Sequence, residues 1–203
     1  MSVRGIDHLK LVGGNLALDF TNTVHDRAYE KENDELQSFG CLVEWTQKAG
    51  AINEKTANAL KKIEKQDPQD AEETLQRARE FRRLLYKVFL SFANGDDPDQ
   101  QCLDKLRDSW LDAMKNASLS HADSGCCWVF NATPDSLDSI LAPIAYSAIR
   151  LITGPDIRRV RMCGANDCTW MFVDSSKNRS RRWCQMEVCG NRAKAKRHYH
   201  KSC

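Results

Sequence analysis

No apolar run in the chain approaches the roughly 18–20 residues needed to cross a bilayer. The first residues, Met1-Ser2-Val3-Arg4-Gly5-Ile6-Asp7-His8, lack the apolar core of a secretory signal. The cytoplasm is therefore the expected compartment, with no membrane partner. Recognisable catalytic signatures are missing too: there is no G-x-S-x-G, no P-loop, no glycine-rich dinucleotide fingerprint and no H-E-x-x-H. The expectation is a protein that is not an enzyme. Internal repeats and low-complexity linkers are also absent, so the 203 residues should form one ordinary core plus a small appended module. A disulfide framework fits the cysteine count less well: nine, an odd number, suits a reducing compartment with paired metal ligands better.

What is present over the first 155 residues is mostly helical punctuation. Leu16, Ala17, Phe20 and Val24 recur at helical spacing after Gly13-Gly14. Ser38 is placed to cap a short helix that Gly50 ends, and Asn53 to cap the next. Asp67-Pro68 opens the clearest helix, with Leu75, Ala78, Phe81, Leu85, Val88, Phe89 and Phe92 as its apolar stripe and Asn94-Gly95 at its end. Asp97-Pro98 repeats the start signal for a helix carrying Leu103, Leu106, Trp110 and Met114. Each stripe reads as core. Asp123-Ser124-Gly125 beside Cys127-Trp128-Val129-Phe130 predicts a small hairpin. Thr133-Pro134 predicts another helix, with Pro143 as a kink and Gly154-Pro155 as its stop. The fold class is mainly α: a helical body over 1–155 and a second module over 156–203.

That module carries two Cys-x4-Cys pairs, Cys163/Cys168 and Cys184/Cys189. Four thiolates at such spacing suit one tetrahedral, structural zinc ion, Zn2+, with no coordination position left for catalysis. Trp170 to Asp174 reads as one strand and Ser180 to Trp183 as its returning partner, and Ala193 to Arg197 is helix-prone. Knuckle, hairpin, second knuckle and helix give a treble-clef-like order. His198 and His200 are alternative ligands, though four cysteines already complete the site. Cys41 and Cys102 fall in helical patterns and read as small buried hydrophobes. Cys126, Cys127 and Cys203 have no evident partner.

Charge is divided unevenly. From residue 150 onward nine Arg and four Lys stand against three Asp and one Glu, a net +9, which leaves −7 on residues 1–149. A basic module on an acidic body points to a polyanionic partner. Candidate DNA-contacting residues are Arg179, Arg181 and Arg182 in the hairpin region, and Asn191, Arg192, Lys194, Lys196, Arg197, His198 and Lys201 in and after the last helix. Nothing resembles an RNA-reading aromatic sheet, which favours DNA over RNA. The competing reading is a staple or protein-interaction module whose basic face packs on the acidic body. In that case Asn191 caps a helix, Arg182 pairs with Asp174, and Trp170 and Trp183 cover the knuckles.

Asp19, Asn22 and Asp26 recur beside His8, Thr23 and His25. Asp19, Asn22 and His25 are a candidate pocket for a small-molecule effector, and an enzyme built on Asp19 and His25 is a third reading. The alternative is capping and buried hydrogen bonding that anchor the first helix. A homodimer is also an open expectation.

The run Phe172-Val173-Asp174-Ser175-Ser176-Lys177-Asn178-Arg179-Ser180-Arg181-Arg182-Trp183-Cys184, followed by Cys189-Gly190-Asn191-Arg192-Ala193-Lys194, resembles the CGNR zinc-finger family. Gly13-Gly14-Asn15-Leu16-Ala17-Leu18-Asp19-Phe20-Thr21-Asn22-Thr23 resembles the start of the ABATE domain that accompanies that finger. The two resemblances together imply a mostly helical body, a zinc-binding C-terminal module and a bacterial, stress-related transcription regulator.

Overall fold

Asn15, Ser38, Asn53, Asp67 and Asp99 each turn a side-chain oxygen onto a backbone N–H two or three residues ahead, and each marks a helix start. The helices that follow are α1 (Leu16–Thr21), α2 (Phe39–Lys48), α3 (Glu54–Gln66), α4 (Pro68–Asn94) and α5 (Gln100–Lys115). A hairpin of β1 (Ala117–Ala122) and β2 (Gly125–Phe130) comes next, then α6 (Ala142–Thr153), β3 (Val160–Met162), β4 (Met171–Val173) and α7 (Asn191–Tyr199). This computed structural model describes residues 6–25, 27, 34–122, 125–130 and 137–199, with the side chains of Asp7 and 197–199 excepted. Asp26, Thr133-Pro134, the side chains of Arg197 and His198, and also His200, Lys201 and Cys203 lie outside the described residues. None of the described helices is long and apolar enough to cross a membrane.

The mainly α expectation holds, with the hairpin where the turn signal put it: Leu119 pairs with Trp128 and Ala122 with Gly125. Two boundaries differ. The helix expected from Asp97-Pro98 is capped by Asp99, whose carboxylate accepts the Cys102 N–H at 3.1 Å, so α5 starts two residues late. Pro143 is no kink. It sits in the first turn of α6, where no intrahelical partner is owed to its missing N–H, directly after a 3-10 turn over Leu137–Leu141.

The long helix α4 is the spine. Ala71, Thr74, Leu75, Ala78, Phe81, Arg82, Leu85, Val88 and Phe89 are buried along one side, and the helix touches α1, α2, α3, α5 and β3. Gly95 ends it in the left-handed region at φ 84, where a side chain would be strained. Phe20 packs on Trp45 with ring centroids 5.3 Å apart. One buried ion pair crosses this core: the Arg82 guanidinium reaches Asp34 Oδ1 at 2.7 Å and Oδ2 at 2.5 Å, and Thr23 Oγ1 at 2.8 Å.

The apolar core does not stop at residue 155. Val160, Trp170, Met171 and Phe172 belong to the same buried cluster as Ala17, Leu18 and Phe20. Strand β4 pairs antiparallel with β3, Arg161 opposite Phe172. Its other edge is filled by the body, since the Val173 N–H donates to Gly13 O at 2.8 Å and the Met171 backbone meets Asn22.

Candidate metal centre and basic surface

Occupation of that second edge corrects the expected finger hairpin. Ser180 to Trp183 does not pair with β4; the partner strand is β3, upstream of the first cysteine pair. The chain turns instead over Ser176–Arg179, with Arg179 at φ 51, and passes the first knuckle, where the Gly164 N–H donates to Arg182 O at 2.8 Å. Asp174 organises the turn. Its carboxylate accepts the Ser176 N–H at 2.9 Å, the Ser176 hydroxyl at 2.6 Å and the Arg181 N–H at 3.1 Å. These donors hold it below the usual carboxylate range, led by the Ser176 hydroxyl. The Asp174 partner is thus the backbone of Arg181, not the Arg182 side chain.

The turn delivers Cys184 to Cys163 and Cys168. All four Sγ atoms lie within 4.8 Å of one another, with 3.7 Å from Cys168 to Cys184 and 3.5 Å from Cys184 to Cys189. Tetrahedral Zn–S bonds of about 2.3 Å place sulfurs about 3.8 Å apart, so the donor set and its spacing fit zinc. Hydrogen bonds from the Cys168 and Cys184 thiols depress the Cys163 thiol far below its ordinary range. Their hydrogen bonds to Cys163, and then their burial, push Cys168 and Cys184 up. A divalent cation relieves the repulsion among ionised sulfurs, which lets all four bind as thiolates. The cysteines can hold one zinc ion with no open position, a scaffold rather than a reaction centre.

The Cys-Gly-Asn-Arg tetrapeptide acquires a physical meaning here. Cys189 is a ligand. A Cβ at Gly190 would overlap Met186 Sδ and lie 3.0 Å from Trp183 Cδ1. Asn191 donates from Nδ2 to Glu187 O at 3.1 Å, tying α7 back to the π-helical turn Met186–Gly190 rather than capping its start. Arg192 reaches Cys189 Sγ at 3.5 Å and Asp167 at 3.0 Å, and Lys196 approaches the same carboxylate at 3.6 Å.

Among the candidate DNA contacts, Arg181 stands apart. Its guanidinium lies 4.0 Å from the Phe172 ring centroid and donates to the carbonyls of Val12 at 2.9 Å, Cys184 at 2.7 Å, Trp183 at 3.1 Å and Val173 at 3.4 Å. It clamps finger to body. Arg179, Arg182, Arg192, Lys194 and Lys196 are exposed, as is Lys177.

The candidate pocket residues do not converge on one cavity. Asn22 makes a two-point amide bond to β4, donating to Met171 O at 2.8 Å and accepting its N–H at 2.9 Å. Asp19 is buried and accepts the Gly13 N–H at 2.7 Å. His25 faces a different cleft, stacked on Trp170 at 4.8 Å. Burial raises the Asp19 carboxyl to about 6, despite the Gly13 and Val12 amides. A raised folded value gives stability that is full below the unfolded value of 3.8 and lost as pH rises through about 6. Asp19→Asn is expected to remove that slope, worth up to about 3 kcal/mol, between pH 4 and 6. Thermal midpoints against pH check this; an unchanged slope contradicts it.

Sequence reasoning missed Glu35, which meets both His8 and His25, and Asp167, which gathers Arg192 and Lys196. Glu35 had no local signal, because its partners lie 27 and 10 residues away along the chain.

A helical body joined through a shared core to a four-cysteine finger defines a zinc-finger protein of two modules. Residues 159–202 match the CGNR zinc finger, and residues 14–155 match the ABATE domain, whose description is "Putative stress-induced transcription regulator". The chain belongs to the ABATE family, with a CGNR zinc finger at its C-terminal end. No curated protein matches it.

Proposed function

We propose that the protein is a DNA-binding transcription regulator, in which zinc fixes the finger and the finger's exposed basic side chains meet the duplex. The observation that carries this reading is the sign of the finger surface. Between residues 176 and 196, Lys177, Arg179, Arg182, Arg192, Lys194 and Lys196 are all exposed, against the single acid Glu187. Arg and Lys in such a cluster neutralise phosphates and release counterions. Arg179 on the turn and Arg182 beyond it, with Lys194 on α7, are the principal contacts. Arg192 and Lys196, held on Asp167, flank them. No catalytic step belongs to this reading, and the compartment is the cytoplasm, where a DNA partner and reduced thiols coexist.

The competing reading, a staple neutralising the acidic body, requires the basic face to be turned inward. Of the finger's basic side chains, Arg181 is turned onto the body, where it donates to Val12 O, while the rest of the junction is apolar packing and hydrogen bonds to backbone groups. Among the described residues, the surface ion pair between them, Lys10 with Glu187 at 3.5 Å, has the opposite polarity. A body that binds a small effector is compatible with the proposal. A cavity of about 280 Å3 lined by Arg77, Phe81, Phe130 and Asp138 is one place for it.

The triple variant Arg179→Ala/Arg182→Ala/Lys194→Ala tests the interface without touching the zinc ligands or the Arg181 clamp. It is expected to weaken binding to a mixed-sequence duplex about tenfold or more, and to reduce the slope of log affinity against log salt by about 2 to 3. Fluorescence anisotropy across a salt series measures both. Wild-type affinity and slope in the variant would overturn the proposal.

A further inference from the structure

The cleft between the body and the first knuckle holds a group of side chains that the zinc finger does not use. His8 Nε2 and His25 Nε2 each lie 3.1 Å from the same Glu35 Oε1, and all three atoms fall within 4.8 Å of one another. His8 and His25 border a cavity of about 430 Å3, with Lys10, Trp170, Arg192 and the cysteines Cys168, Cys184 and Cys189 also on its wall.

Each ligand is held by its backbone. Ile6 and Leu9 are buried on either side of His8. Val24 and Asp34 form an antiparallel bridge, and the Glu35 N–H donates to Thr23 O at 3.0 Å, which brings the His25 and Glu35 segments together. The His25 ring stacks on Trp170, whose Nε1–H donates to Val24 O at 3.0 Å, and Thr169 Oγ1 donates to His25 O at 3.3 Å. Three separate segments therefore aim two imidazoles and a carboxylate at one point.

We propose that His8, His25 and Glu35 form a second metal site, separate from the four-cysteine centre, for a divalent first-row transition-metal ion. Metal bonds of about 2.0–2.2 Å to nitrogen and oxygen put neighbouring ligand atoms about 2.8–3.6 Å apart across octahedral and tetrahedral geometries. Both observed histidine–carboxylate separations lie in that range. Two nitrogens and one oxygen suit zinc, iron, cobalt or nickel, and exclude the thiolate preference of the neighbouring centre. Roughly half-exposed histidines leave the remaining coordination positions facing the cleft, where water or a small anion completes the sphere beside Lys10 and Arg192. Occupancy ties the segments carrying Ile6–Leu9, Thr23–His25 and Asp34–Glu35 together and, through Trp170, couples the ion to the finger.

The test is equilibrium dialysis of the full chain, purified with its cysteine site loaded, against micromolar free Zn2+, followed by metal analysis. Wild type is expected to retain about two zinc ions per chain, and Glu35→Gln and His8→Ala each about one. Circular dichroism and the retained first zinc report that the variants are folded. One zinc in the wild type, or two in both folded variants, would overturn the proposal.

Discussion

Cys184→Ser is expected to yield protein without zinc in the four-cysteine centre and with a melting midpoint lowered by more than about 10 °C. Cys184 is the hub of the quartet. Its Sγ contacts those of Cys168 and Cys189, and its N–H donates to Cys163 Sγ at 3.4 Å. A structural zinc contributes roughly 10–16 kcal/mol, comparable to the whole net stability of a domain. The loss does not stay local, because Trp170, Met171 and Phe172 complete the core over Ala17, Leu18 and Phe20. Arg181 adds to this coupling by joining Cys184 O to Val12 O. Metal analysis and a thermal melt followed at a helical band decide the matter. An unchanged midpoint would mean that finger and body are energetically independent.

Asp34→Asn is expected to destabilise the body by about 3–5 kcal/mol, the effect of stranding one member of a buried ion pair. Arg82 is fully buried on α4, and Asp34 is its two-point counter-ion. Arg79 Nε also approaches Asp34 Oδ2 at 3.3 Å, so the carboxylate serves two guanidinium groups. The Asp34 carboxylate additionally accepts the Leu36 N–H at 2.9 Å, which shapes the chain ahead of α2. Replacing the pair together, Arg82→Met/Asp34→Leu, should cost less than the single change, because the fully buried Arg82 charge is then not stranded and only the partly exposed Arg79 loses a counter-ion. Denaturant unfolding of the two variants measures this. A single variant within about 1 kcal/mol of wild type would show that the pair is solvated in solution.

The helical punctuation was legible because capping is local: Ser38, Asn53 and Asp67 act on amides three residues away. The cysteine quartet was legible for a related reason, since ligand type and spacing state their chemistry without the rest of the fold. What escaped was set by distant partners. The strand opposite β4 depends on Asn22 and Gly13 taking its free edge, which no pattern within 160–190 records. Arg181 and Arg182 are neighbours of identical type, yet one clamps four carbonyls and the other faces solvent. Asn22 drew notice as a candidate pocket residue, with buried hydrogen bonding as the alternative. Its role as a surrogate strand neighbour needed Met171, 149 residues on.

Reversible metal dependence of DNA binding tests the central claim most directly. The Glu35→Gln variant isolates the cysteine centre, and its affinity for a mixed-sequence duplex at fixed salt is measured as purified, after chelation, and after one equivalent of Zn2+ is restored. The expected result is loss of binding on chelation and recovery with zinc, because the metal fixes the segments that carry the exposed Arg179, Arg182 and Lys194. Equal affinity in all three states, or no binding in the zinc-loaded state, would contradict it.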